Sequence, residues 1–314
     1  MTSAICTQSL SRSFGRTIAL DGVDLQVPEG AVYALVGANG AGKTTLIKVL
    51  MNIFQPGSGS AQVLGIDSRK VTGRVFQRIG YVSENQEMPD WMTTGQMLAY
   101  YRNFYPKWDL ALEEQLVRQF DLPLTRKLKH LSRGMRMKAA FASSLAYRPA
   151  LIVLDEPFSG LDPLVRDELI EGLIERAPET TILLSSHDLA EIETFSSHVG
   201  FLEQGHLLFS EEMTLLTERF RQVTVTLAGP SQPEAERPPS WLQFEVADSV
   251  VRFVHSHYEG DATSYALAAH FPSARDITLD PMSLRSIFLC IAKSGRSQDS
   301  KSSPAPADAR ETRA

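Results

Sequence analysis

Three short stretches carry the residue types from which a phosphate-handling site is built: a lysine among glycines, two adjacent carboxylates, and a histidine ending an apolar run. Gly37-Ala38-Asn39-Gly40-Ala41-Gly42-Lys43-Thr44-Thr45 fits the pattern G-x-x-x-x-G-K-[ST]. Its glycines let the backbone curl so that N–H groups, and the start of a following helix, face a polyphosphate. Lys43 then neutralises phosphate charge, and the Thr44 hydroxyl is a ligand for Mg²⁺. Leu151-Ile152-Val153-Leu154 ends in Asp155 and Glu156, and Ile182-Leu183-Leu184-Ser185-Ser186 ends in His187. Asp155 is suited to hold Mg²⁺ through its water shell, and Glu156 to accept a proton from an attacking water. Carboxylates also cap helices and histidines also serve structure, so neither group is specific alone. Their conjunction with the lysine loop is.

Those residues cooperate only if a sheet brings them to one edge. Residues 31–36 form an apolar run suited to a buried parallel strand, and 45–51 have helical spacing, giving strand, loop and helix around Lys43. Ligands of open α/β sheets bind at the carboxyl ends of strands, so the ends of the three runs are expected to converge. Residues 3–30 alternate between apolar and polar and close in Pro28-Glu29-Gly30, which predicts antiparallel strands and a turn. Phe14, among them, is either core or a ring that stacks on a base. From residue 93 to about 129 the pattern turns helical, with Met97, Leu98, Tyr101 and Phe104 on one face and Leu112, Leu116, Val117 and Phe120 on another. A further helix is expected over 136–147, with Ser132 as a natural cap ahead of it. The predicted fold class is α/β: a P-loop NTPase core with an antiparallel β subdomain and a helical insertion at about 86–148.

The 314 residues, 43% hydrophobic and 22% charged, describe an ordinary globular protein long enough for two domains. With 37 acidic against 31 basic residues, the net charge of −6 leaves no electrostatic footprint for nucleic acid. The sequence holds no apolar run of about 18 residues to span a bilayer, so a membrane role needs another chain to supply the span. The N-terminus lacks the basic-then-apolar order of a secretory leader, and Cys6 and Cys290 have no metal-ligand spacing, which fits reduced cytosolic thiols. Pro230-Ser231-Gln232-Pro233 and Arg237-Pro238-Pro239 interrupt regular structure. Residues 223–227, 242–246 and 250–255 read as short strands and 283–292 as a closing helix, so 222–292 are expected to form a small α+β appendage. The Ser-, Pro- and Ala-rich residues 293–314 are expected to be a disordered tail. His255 and His257 invite a metal reading, against which stands a solvated strand face.

Taken together, these motifs resemble the nucleotide-binding subunit of an ATP-binding cassette transporter, single-cassette and ABC-2 exporter-like, over residues 3–220. In that resemblance Phe14 takes the adenine-stacking position, 37–45 is Walker A, and Leu131-Ser132-Arg133-Gly134-Met135 is the signature. Residues 151–156 are Walker B, Ser159-Gly160-Leu161-Asp162 the D-loop, and His187 the switch histidine that meets a γ-phosphate. The resemblance implies an ATP-binding domain over 3–221 that hydrolyses ATP with Mg²⁺. It also implies a second ATP-binding subunit, identical or different, with ATP held between one subunit's Walker A and the other's signature. Ser132 and Gly134 then act in trans, and Asp162 joins the nucleotide-binding residues. A further implied partner is an integral-membrane permease, which would hold the protein peripherally on the cytoplasmic face of the cell membrane.

Two motifs, the signature and the Q-loop, depart from the family pattern. Arg133 stands where a glycine is usual and Met135 where glutamine is; Arg133 is either a solvated cation or a counter-charge to a γ-phosphate. At the Q-loop, Tyr81-Val82-Ser83-Glu84 places glutamate where glutamine is usual, with Gln86 close behind. A carboxylate near polyphosphate is repelled unless Mg²⁺ lies between, so Glu84 is either a metal ligand beside Thr44 and Asp155 or turned away. Glu87-Met88-Pro89-Asp90-Trp91-Met92 is expected to meet the permease, Trp91 and its Met neighbours being either an apolar anchor or buried. Two other functions stay open: a cassette ATPase acting on a non-membrane partner, and a nucleotide-gated binding module with little hydrolysis.

Overall fold

Apolar residues at alternate positions of 3–30 give antiparallel strands, and continuous apolar runs give buried parallel ones, as pleat periodicity requires. The computed structural model describes residues 2–229 and 237–302, the side chains of 294–302 excepted. The chain divides into two units, Met1–Met213 and Thr214–Ala314.

The first unit opens with β1 (Ser3–Phe14), β2 (Thr17–Val23) and β3 (Gln26–Pro28). β4 (Val32–Val36) leads through the glycine loop to α1 (Lys43–Leu50), followed by β5 (Ser58–Val63), β6 (Ile66–Asp67), α2 (Gly73–Phe76) and β7 (Ile79–Ser83). Three helices, α3 (Thr94–Arg102), α4 (Leu110–Gln119) and α5 (Arg133–Leu145), precede β8 (Leu151–Asp155). Then come α6 (Pro163–Ile174), β9 (Thr181–Ser186), α7 (Leu189–Ile192), β10 (His198–Glu203) and β11 (His206–Glu212). Strands β1, β2, β3, β5 and β6 make an antiparallel sheet. The second sheet runs β11-β10-β4-β9-β8-β7, parallel throughout except for the edge strand β11. Between the sheets, Leu20, Val27, Tyr33, Leu35, Leu46, Ile47, Val63 and Val153 belong to one buried cluster, which fixes α1 and its loop against both.

In the second unit, after α8 (Met213–Arg219), the strands β12 (Arg221–Leu227), β13 (Trp241–Ala247) and β14 (Val250–His255) lie close to where the sequence puts them. Two elements escape the sequence reading, α9 (Asp261–His270) and β15 (Ala274–Pro281); α10 (Leu284–Ser302) closes the described chain. The four strands form an antiparallel sheet ordered β13-β14-β12-β15. Its core joins Val223, Val225, Val251, Phe253 and Leu267, with Trp241 stacked 4.2 Å from Phe253. His255 is buried and its Nδ1 accepts the His257 N–H at 3.2 Å, so the solvated strand face does not describe it. Among the described residues no group of three or more His, Cys, Asp and Glu could hold a metal. Pro230-Ser231-Gln232-Pro233 and 303–314 lie outside the described residues.

The helical insertion differs from its expected form in three ways. It is two helices, not one continuous stretch, because Asn103–Asp109 breaks the run, and each has its own cap: a Thr93–Gln96 capping box and Asp109. Met97 and Leu98 are fully buried, but Phe104, past the end of α3, is half exposed against Tyr100. Helix α5 begins directly after Ser132, whose hydroxyl accepts the Met135 N–H, so the signature belongs to its first turn. Glu113 of α4 ties the insertion together: its carboxylate accepts Arg102 Nε at 2.7 Å, Arg102 Nη2 at 2.5 Å and Trp108 Nε1 at 2.7 Å. Glu113→Ala leaves those donors unpaired and is expected to lower unfolding free energy by about 1–3 kcal/mol. Urea denaturation would measure it, and a loss confined to a few tenths would refute the role.

Candidate functional site

Strand order decides which chain ends can meet. β9 lies between β4 and β8, with Val36 opposite Ser186 and Asp155 opposite Ser185, so all three strands end level. Gly42 opens α1 at φ 111, where an L side chain is strained, and a Cβ there would lie 2.4 Å from the Ala19 carbonyl oxygen. That turn directs Lys43 inward, leaving it 5% exposed. Lys43 Nζ donates to the carbonyls of Gly37 at 2.6 Å and Ala38 at 3.3 Å and pairs with Glu156 Oε1 at 3.0 Å. Ala38, Asn39 and Gly40 form the exposed rim of the loop, Ala41 is buried beneath it, and Thr45 is half buried in the first turn of α1.

The carboxylates are held as a set. Asp155 Oδ1 accepts Thr44 Oγ1 at 3.0 Å and Ser185 Oγ at 2.8 Å, while the Ser185 hydroxyl also accepts the Glu156 N–H at 2.9 Å. Glu156 sits at φ 50, a left-handed conformation that turns the chain out of β8 and brings its Oε2 within 2.7 Å of His187 Nδ1. Burial is the main force pushing the Asp155 carboxyl above the usual range; the hydroxyls of Ser185 and Thr44 oppose it, and the Glu156 charge adds to it. A cavity of about 250 Å³ opens here, lined by Thr44, Lys48, Tyr81, Glu84, Asp155 and Glu156. Oxygen donors around a buried carboxylate suit a hard cation such as Mg²⁺. Ser185 was not singled out from sequence; its only signal is a hydroxyl at the polar end of an apolar strand.

Other expected residues lie apart from this set. The Glu84 N–H donates to the Asp155 carbonyl at 2.9 Å, yet its Oε1 accepts Arg133 Nη2 at 2.8 Å and Ser159 Oγ at 3.0 Å. Its carboxylate is thus bonded to Arg133 and Ser159, while the residue still lines the cavity it shares with Thr44 and Asp155. Gln86 instead accepts the Ser83 N–H through its side chain at 3.4 Å. Ser132 is an exposed cap, Gly134 is buried where an added Cβ would lie 3.0 Å from the Val165 side chain, and Asp162 Oδ1 caps α6 through the Val165 N–H at 3.1 Å. These three thus share one patch where α5 meets α6. Phe14 is 41% exposed, edge-on to Phe54 at 5.1 Å with the Arg12 guanidinium 4.8 Å above its ring, so it is not core. Trp91 is 69% exposed while Met88 and Met92 are buried, which removes the methionines from any anchor.

A family model described as ABC transporter matches residues 20–159. The chain is 31% identical over 218 residues to the ABC transporter ATP-binding protein YtrB of Bacillus subtilis, covering 69% of this chain and 74% of that one. It is 30% identical to the bacitracin transport ATP-binding protein BcrA of Enterococcus faecalis, with 71% and 74% covered. Against the lantibiotic transport ATP-binding protein SrtF of Streptococcus pyogenes the identity is 34%, with 65% and 89% covered. A solved ATP-binding subunit of an ABC transporter superposes with a TM-score of 0.62 at 28% identity over 67% of this chain and 90% of its own. A dimeric post-hydrolysis cassette bound to ADP and Pi shares the fold, at a TM-score of 0.60 and 19% identity, covering 67% of this chain and 98% of that one. No described helix is long and apolar enough to cross a membrane. The chain belongs to the ABC transporter family, as an ATP-binding subunit of its ATPase class.

Proposed function

We propose that this subunit binds MgATP at 37–45, completes the site with the Ser132, Gly134 and Asp162 patch of a second ATP-binding subunit, and drives a membrane permease in export. The observation that carries the hydrolytic part is the direct contact of Lys43, Glu156 and His187 beside the Thr44–Asp155 pair. Lys43 exchanges Glu156 for the phosphates of the substrate, freeing that carboxylate to take a proton from the attacking water. His187 Nδ1 orients Glu156, and Ser185 fixes the backbone on which it stands. Thr44 and Asp155 would hold Mg²⁺, which supplies charge neutralisation at the phosphates when bound. Phe14, solvent-facing, is available to stack on adenine.

Antibiotic-related relatives, named for bacitracin and lantibiotic transport, support export. Trp91, 69% exposed just ahead of the inserted helix α3, is available for a permease contact. Such a partner would keep the protein on the cytoplasmic side of the membrane. A homodimer is the simpler assembly.

Glu156→Gln is expected to lower kcat about 100-fold or more while leaving ATP affinity within a few-fold, read by steady-state ATPase and nucleotide-binding assays. Near-normal turnover would remove Glu156 as general base. Trp91→Ala is expected to halve or abolish co-sedimentation with permease-containing membranes without changing ATPase of the isolated subunit; unchanged sedimentation would sink the contact. For Asp155, a folded-state value above the unfolded one means the folded chain binds more protons, so stability falls as pH rises through that interval. Asp155→Asn keeps an acceptor for Thr44 and Ser185 and removes the charge. Its Tm without Mg²⁺ is expected to exceed wild type at pH 7 and to converge with it below about pH 4.

A further inference from the structure

Two of the three positions at which this sequence departs from the family pattern, Glu84 and Arg133, are bonded to each other. Arg133 Nη2 donates to Glu84 Oε1 at 2.8 Å, and Ser159 Oγ of the D-loop donates to the same oxygen at 3.0 Å. A glutamine at 84 and a glycine at 133 could make no such ion pair. The surroundings are shaped for it. Gly160 adopts φ +64, where an L side chain is strained, and a Cβ built on it would lie 3.0 Å from Arg133 Nη1, so glycine leaves the guanidinium room beside Ser159. On the other side the Glu84 backbone is held by the Asp155 carbonyl. One unbroken path of bonds therefore runs from the metal-binding end of β8, through Glu84, to the first turn of α5. That turn carries Ser132 and Gly134.

We propose that Glu84 and Arg133 form a clasp that locks the loop after β7 to the signature turn and the D-loop, setting the pose in which Ser132 and Gly134 meet a second subunit. Arg133 is then a positioning residue, neither a free solvated cation nor a counter-charge to phosphate. The pair is partly exposed, with side-chain exposures of 48% for Arg133 and 35% for Glu84, so its strength is modest and screened by salt. Its leverage comes from placement: it joins segments 49 residues apart that lie at the ends of different elements.

The clasp exists within one subunit and its consequence rests on the two-subunit reading above, so two measurements separate them. Hydrogen exchange on the isolated protein is expected to quicken about fivefold at residues 84–87 and 133–136 together in either Glu84→Gln or Arg133→Gln, the range an exposed ion pair can supply. The charge reversal Glu84→Arg with Arg133→Glu should restore both segments. Loosening confined to the mutated segment, or a reversal no slower than the single variants, overturns the clasp. In a Glu156→Gln background with ATP, size-exclusion chromatography is expected to show an ATP-dependent dimer that either single variant weakens and the reversal recovers. A dimer unaffected by all three overturns the positioning role; no dimer even with Glu84 and Arg133 intact overturns the two-subunit reading, while exchange still decides the clasp.

Discussion

An ammonium group nearly removed from water must be compensated on every side, and the compensation of Lys43 organises the rest of the site. Two loop carbonyls and one carboxylate surround it. The lysine is turned onto those carbonyls at the start of α1, where Gly42 has a positive φ, and the carboxylate reaches it from Glu156, whose backbone is left-handed at the end of β8. Glu156 in turn joins the lysine to His187, so three chain segments far apart in sequence share a single electrostatic contact. Removing the lysine would leave the Glu156 carboxylate without its ammonium partner.

Around that contact the structure separates two kinds of surface. Bonds at the strand ends close on one another: Thr44 and Ser185 on Asp155, Ser185 on Glu156. The patch where α5 meets α6 is different, since Ser132 and Asp162 use their oxygens as helix caps and remain at the surface. A cap leaves further N–H groups of the helix turn open to an outside acceptor. The site is thus finished on the lysine side and open on the signature side.

The lysine, carboxylates and histidine were legible in the sequence because each follows an apolar run whose length matches one buried strand, and because the sheet rule places strand ends together. What could not be read were contacts that depend on strand order. Ser185 matters only because β9 lies between β4 and β8, and the Glu84–Arg133 pair bridges two elements that no local pattern relates. Amphipathic spacing likewise gives a face without saying where the helix stops, so Phe104 was assigned to a core it lies beyond. The methionines of 88–92 followed the same logic in reverse, being buried while Trp91 is not. In the second unit α9 and β15 escape the sequence because α9 offers few large apolar residues to mark a face and β15 only two, Ile277 and Leu279, although the aromatic core they pack on is visible in part.

Strand β9 also acts as a ruler. With one strand interposed, the ends of β4 and β8 stand two inter-strand spacings apart, about 10 Å, a distance fixed by backbone hydrogen bonds and not by any side chain. Two side-chain pairs bridge that gap, Lys43 with Glu156 and Thr44 with Asp155. The spacing between the Lys43 loop and the Asp155–Glu156 pair is therefore set by the hydrogen-bonded sheet, whereas the loop after β7 and the inserted helices lie outside it.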